Sequence, residues 1–122
     1  MIRVLVADDH PTMLLGIEAA FEGELDLSLC GLATDGESAC VLALSSQPDV
    51  VVMDVSMPGI GGIEALRRIT RDVPAARVLM LSWRMDLETR RAAQDAGAAG
   101  YLVKDVDRGQ LLAAIRGLHP AQ

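Results

Sequence analysis

The sequence predicts an α/β fold, a single doubly wound (βα)5 domain with a five-stranded parallel sheet and helices on both faces. Short unbroken apolar runs recur along the chain, as expected for strands buried on both faces. Helix-length segments with their own start and stop signals separate those runs, which calls for right-handed crossovers. The chain has 122 residues, 51% apolar against 23% charged. That balance suits one hydrophobic core and is too apolar for a disordered tail.

The first run is Val4-Leu5-Val6-Ala7. Pro11 then fits a first helical turn, Leu14, Ile17 and Phe21 share a face, and Gly23 stops the pattern. The second run, Leu25 to Cys30, alternates apolar with polar or small residues, as a half-exposed edge strand does. Asp35 opens a helix over Glu37 to Ser46. Val50-Val51-Val52-Met53 is the third strand, followed by a stripe of Ile63, Leu66, Thr70 and Val73 that Pro74 ends. Val78-Leu79-Met80-Leu81 is the fourth strand, after which Asp86 caps a helix that Gly97 terminates. Tyr101-Leu102-Val103 is the fifth, and Asp107 with Gln110 forms a capping-box pattern ahead of Leu111, Leu112 and Ile115. The domain is expected to span 1–118, with His119-Pro120-Ala121-Gln122 reading as the start of a linker or tail.

Composition narrows the function. A net charge of −6 offers no basic face for a phosphate backbone, so direct nucleic-acid binding is not expected of this chain. The longest stretch without a charged residue, Ser38 to Pro48, is too short to span a membrane, and the N-terminus lacks a secretion signal. A cytoplasmic location is the expectation. Cys30 and Cys40 do not make a disulfide framework, redox pair or zinc site and are read as reduced core residues.

Ligands of open parallel sheets bind outside the carboxyl ends of the strands. Those ends carry Asp8 and Asp9 after the first strand, Asp54 after the third, Ser82 after the fourth and Lys104 after the fifth. Lys104 is the sole lysine. Three carboxylates in one cleft repel one another unless a cation neutralises them, and a hard divalent ion such as Mg2+, with a phosphate oxygen completing its shell, fits such a set. A carboxylate is also a competent nucleophile toward phosphorus. Lys104 is placed to pair with the transferring group and Ser82 to donate it a hydrogen bond. Singly, each residue has a plain reading as a cap, turn or surface residue; together, at four strand ends, they point to phosphate chemistry.

Across its whole length the sequence resembles the receiver domain of two-component response regulators. The matching segments are Val6-Ala7-Asp8-Asp9-His10-Pro11, Asp54-Val55-Ser56-Met57-Pro58-Gly59, Leu81-Ser82 and Gly97 through Asp105. The Asp-Asp-His-Pro start and the Lys-Asp ending are most similar to the NarL/FixJ type, whose receivers usually precede a LuxR-type helix-turn-helix output domain. The resemblance implies a flavodoxin-like strand order of 2-1-3-4-5. It implies that Asp54 accepts phosphate from a histidine kinase, beside Mg2+ held by Asp8, Asp9, Asp54 and the Ser56 carbonyl. Asp9 would ligate directly and Asp8 through water. Ser82 and Tyr101 would be the switch residues, altering the face made by the fourth helix, fifth strand and fifth helix. A phosphorylation-linked homodimer is expected, with DNA reached only through a C-terminal domain not present in this chain.

Two departures stand out. Asp105 follows Lys104 where many receivers have proline, so no cis bond is expected there. Trp83 follows Ser82 where the family generally has a small residue, which makes it a candidate gate over the phosphoryl entrance. A phosphatase of the haloacid dehalogenase type is disfavoured because Asp54-Val55-Ser56 lacks its second aspartate. A degenerate receiver is disfavoured by retention of the site residues, and a flavin carrier by the absence of its phosphate loop.

Overall fold

The computed structural model describes residues 1–83 and 86–118, so the expected linker at 119–122 lies outside the described residues. The elements alternate strictly: β1 (Ile2–Ala7), α1 (Pro11–Phe21), β2 (Leu27–Ala33), α2 (Gly36–Ser46), β3 (Val50–Asp54), α3 (Gly61–Asp72), β4 (Arg77–Ser82), α4 (Leu87–Ala96), β5 (Gly100–Val103) and α5 (Arg108–Leu118). All strand pairs are parallel and the order is β2-β1-β3-β4-β5, the expected doubly wound arrangement.

The unbroken apolar runs arise because each central strand feeds two cores. Val4, Val6, Val50, Val52, Leu79 and Leu81 face α1 and α5, where Ile17, Phe21, Leu112 and Ile115 cover them. Their neighbours Leu5, Val51, Met53, Val78 and Met80 face α2, α3 and α4, packing on Ala39, Ala43, Leu66, Ile69 and Ala93. The period of two along a strand thus partitions one apolar run between two layers.

Local signals act where the sequence places them. Asp35 accepts from Ser38 N at 2.7 Å and Asp86 from Thr89 N at 3.2 Å, each satisfying an otherwise unpaired helix-end donor. The α5 box is reciprocal: Gln110 N donates to Asp107 Oδ1 at 2.8 Å and Asp107 N to Gln110 Oε1 at 3.0 Å. Gly97 ends α4 in the left-handed region at φ 107°.

Two expectations are corrected. The edge strand begins at Leu27 rather than Leu25 and continues through Ala33. Glu24 and Asp26 are drawn out to Arg116, and Leu27 N closes a turn on Glu24 O, which leaves Leu25 90% exposed. Alternation alone does not register that turn. A register shift then lets the strand run past Cys30, since Val4 pairs with Leu29 but Leu5 with Gly31. Cys30 and Cys40 are free thiols as expected, but they are half-buried and pack on the rim of one core.

Candidate functional site

The parallel sheet delivers its chemistry to one edge through the backbone. Asp8 N donates to Ala33 O at 3.0 Å, Val55 N to Leu81 O at 2.9 Å and Lys104 N to Ser82 O at 2.9 Å. These bonds prolong the ladder past the formal strand ends and fix the residues that follow β1, β3 and β5. Asp8, Asp54, Ser82 and Lys104 are accordingly the buried polar residues of the described chain.

Lys104 bridges the two buried carboxylates. Its Nζ lies 2.9 Å from Asp8 Oδ2 and 3.0 Å from Asp54 Oδ2, with all three side chains at most 3% exposed. Beyond this ion pair neither oxygen has a hydrogen-bond partner among the described residues, so each retains acceptor capacity. Burial is the first cause pushing the Asp54 carboxyl above its ordinary range, and the Asp8 charge adds to it. The Lys104 ammonium and the Ser56 N–H, which donates to Asp54 Oδ1 at 3.1 Å, oppose that rise without cancelling it.

Asp9 stands at the more open rim, and the ligand atoms of Asp8, Asp9, His10 and Asp54 all lie within 4.8 Å of one another. Three carboxylates against one ammonium leave a net charge of −2, which one divalent cation would balance. The spare acceptor capacity of the buried oxygens and the three carboxylates of the cluster fit Mg2+.

Around this centre, Ser56 is exposed in the loop after β3 and Ser82 is buried at the end of β4. Tyr101 is half-buried on β5, with the Arg90 guanidinium 6.0 Å from its ring centroid. Trp83 is 65% exposed, yet its ring centroid lies 5.9 Å from Lys104 Nζ, an arrangement of cation–π type. The indole therefore stands above the buried ammonium that joins the two carboxylates.

Two site residues escaped the sequence reading. His10 was read only as part of a motif, yet its Nδ1 lies 2.9 Å from Asp8 Oδ1, 3.1 Å from Asp9 Oδ1 and 3.8 Å from Asp54 Oδ2. Its signal was an imidazole at a helix N-cap, a position that normally favours Ser, Thr, Asp or Asn. Gly62, in the first turn of α3, lies so close to the end of β3 that a Cβ there would overlap the Asp54 and Val55 carbonyl oxygens. Consecutive glycines opening a helix, against helical propensity, were the clue to that approach.

Residues 4–116 match the family model of the response regulator receiver domain, and the chain belongs to that family. It is of the NarL/FixJ type. Response regulator UvrY of Escherichia coli K12 is 38% identical over 122 residues, covering all of this chain but 56% of UvrY. The chain thus spans about half the length of that curated relative. The receiver domain of the putative response regulator NarL from Mycobacterium tuberculosis superimposes with a TM-score of 0.92 at 31% identity, covering 99% of this chain and 98% of that one. The CheX–CheY–BeF3–Mg2+ complex from Borrelia burgdorferi gives 0.89 at 27% identity, covering 96% of this chain and 88% of that one.

Proposed function

We propose that this chain is a two-component signalling switch in which Asp54 accepts a phosphoryl group from the phosphohistidine of a sensor histidine kinase. The observation that carries the reading is the buried Asp54 carboxylate at the end of β3, facing Lys104 and beside Asp8. An Asp54 oxygen forms a bond to phosphorus as the donor's N–P bond breaks, and the electron pair leaves on the donor imidazole. Water later cleaves the acyl phosphate and regenerates Asp54. The chain's chemistry is limited to its own phosphorylation and dephosphorylation.

Asp8, Asp9, Asp54 and the Ser56 carbonyl are the residues that would hold Mg2+. When bound, Mg2+ supplies positive charge against the phosphoryl oxygens. Lys104 exchanges part of its pairing with Asp54 for the phosphoryl group, and the Ser82 hydroxyl donates to it. Tyr101 changes rotamer with Ser82, remodelling the face of α4, β5 and α5 and promoting a homodimer. Trp83 gates the entrance, a role supported by its exposed ring above Lys104. Residues 1–118 form the receiver unit, and DNA and transcription are reached through a C-terminal output domain, in keeping with the length of UvrY.

Incubation with acetyl phosphate and Mg2+, read by intact-mass spectrometry, tests the switch. Wild type should gain one phosphate, chelation of Mg2+ should suppress it, and Asp54→Asn should gain none. Equal labelling of wild type and Asp54→Asn would remove the assignment.

A further inference from the structure

The segment that forms β2 and α2 is nearly without charge. From Leu27 to Pro48 the only charged residues are Asp35 and Glu37, in a chain that is 23% charged. Asp35 is engaged in capping α2. Glu37, Val41 and Leu44 fall at the i, i+4 and i+7 spacing of one helix stripe, and all three face solvent, Val41 at 65% and Leu44 at 52% exposure. The outward stripe of a surface helix is normally polar. Beside it, Leu32, Thr34, Ser38, Val41 and Leu42 line a groove of about 450 Å3 between the helix and the edge strand. A contiguous apolar surface of this kind marks a contact site.

The two ends of the stripe are opposite in charge. Glu37 stands in the first turn of α2 and enters no ion pair among the described residues. At the other end the Arg3 guanidinium donates through Nη1 to Ser46 O at 2.5 Å and to Gln47 O at 2.9 Å, which sets a cation over the last carbonyls of α2. A guanidinium has five N–H donors, so others are left for a further acceptor. An acid, two apolar residues and a cation in line complement themselves when reversed. We propose that this face is a self-association surface, occupied by the α2 stripe of a second copy packed antiparallel about a twofold axis near Val41. Val41 lies at the middle of Gly36–Ser46, so the axis sets it against its own counterpart and carries each Glu37 to the far end of the other α2, beside Arg3. Without Arg3 that carboxylate would meet only the negative end of a helix. Pairing of the two β2 edges is the competing geometry. The register shift within β2 twists that edge away from a partner strand, so side chains of α2 make the contact. β2 and β5 are opposite edges of the sheet, so this surface is separate from the face of α4, β5 and α5 and needs no phosphoryl group.

Sedimentation velocity of the unphosphorylated 122-residue chain in chelator tests this. One helix stripe per copy lies at or below the roughly 1,200 Å2 of small stable interfaces, so monomers at about 5 μM should pass to dimers by about 500 μM. Val41→Glu should weaken the association at least ~10-fold, and Glu37→Arg, which sets two cations together, at least ~3-fold, both with unchanged circular dichroism. On oxidation, Val41→Cys should form a disulfide between equivalent positions of two copies, and faster than Leu15→Cys, whose site on α1 is as exposed. Wild type, with its half-buried Cys30 and Cys40, sets the background. A chain still monomeric at about 500 μM would overturn the proposal and leave the face to a different partner. Association unmoved by Val41→Glu, or cross-linking of Leu15→Cys in place of Val41→Cys, would overturn it by placing the contact elsewhere. Val41→Glu lies outside the acidic site and should take up phosphate as wild type does, so failure of this proposal and failure of the switch reading are told apart.

Discussion

At Asp54 the proposed reactivity comes with a cost in stability. Burial raises its carboxyl above the ordinary range, and the pairing with Lys104 does not fully offset that cost. A raised carboxylate pKa means the folded state favours the protonated form. The stabilisation available at low pH is therefore lost as pH rises through the folded pKa. Asp54→Asn should melt higher than wild type at neutral pH in chelator, and that advantage should fade as pH falls into the ordinary carboxylate range. Mg2+ should raise the melting temperature of wild type more than that of the variant. Scanning calorimetry across pH checks both, and a variant less stable at neutral pH would contradict the electrostatic reading. Gly62 is the steric counterpart, because the approach of α3 to the Asp54 carbonyl leaves no room for a Cβ. Gly62→Ala should cost upward of about 3 kcal/mol, at or beyond the upper end of usual overpacking penalties, measured by urea unfolding.

At the scale of elements, signals carried by neighbouring residues were legible and those carried by distant partners were not. The Asp107–Gln110 box opens α5 as expected, and Asp107→Ala should cost about 1 kcal/mol, or roughly 4 °C in melting temperature. The start of β2 was missed because it depends on Arg116, which is 90 residues from Asp26 in the chain. In the site, Asp8, Asp54, Ser82 and Lys104 were readable because strand ends are readable. His10 and Gly62 were not, because their roles arise from approaches across loops. The segment joining β4 to α4 starts with Trp83, whose sequence signal was only its bulk after Ser82. If its ring restricts entry above Lys104, Trp83→Ala should speed acetyl-phosphate labelling, phosphoryl loss or both. The substitution should leave the fold intact, since exposed truncations usually cost little. Unchanged rates, with wild-type tryptophan emission insensitive to Mg2+ and donor, would leave the indole as packing on the loop.

For the whole molecule, the parallel sheet is the device that connects chemistry to surface. Four strand ends converge on one rim, while the side chains beneath them are shared between two cores, so a change of charge at the rim meets a stiff support. The proposed response runs along the β4–β5 edge of the sheet, where Ser82 ends β4, α4 follows and Tyr101 lies on β5. The chain carries a net charge of −6, and in the proposed function its output belongs to what the modified face contacts. All of this depends on the modified atom belonging to Asp54. The most direct test is to phosphorylate the protein with acetyl phosphate and Mg2+, reduce the acyl phosphate with borohydride and sequence the peptides by tandem mass spectrometry. Homoserine at position 54 and at no other aspartate is the expected result; homoserine at Asp8 or Asp9, or at no position in a protein shown by mass to be phosphorylated, would contradict it.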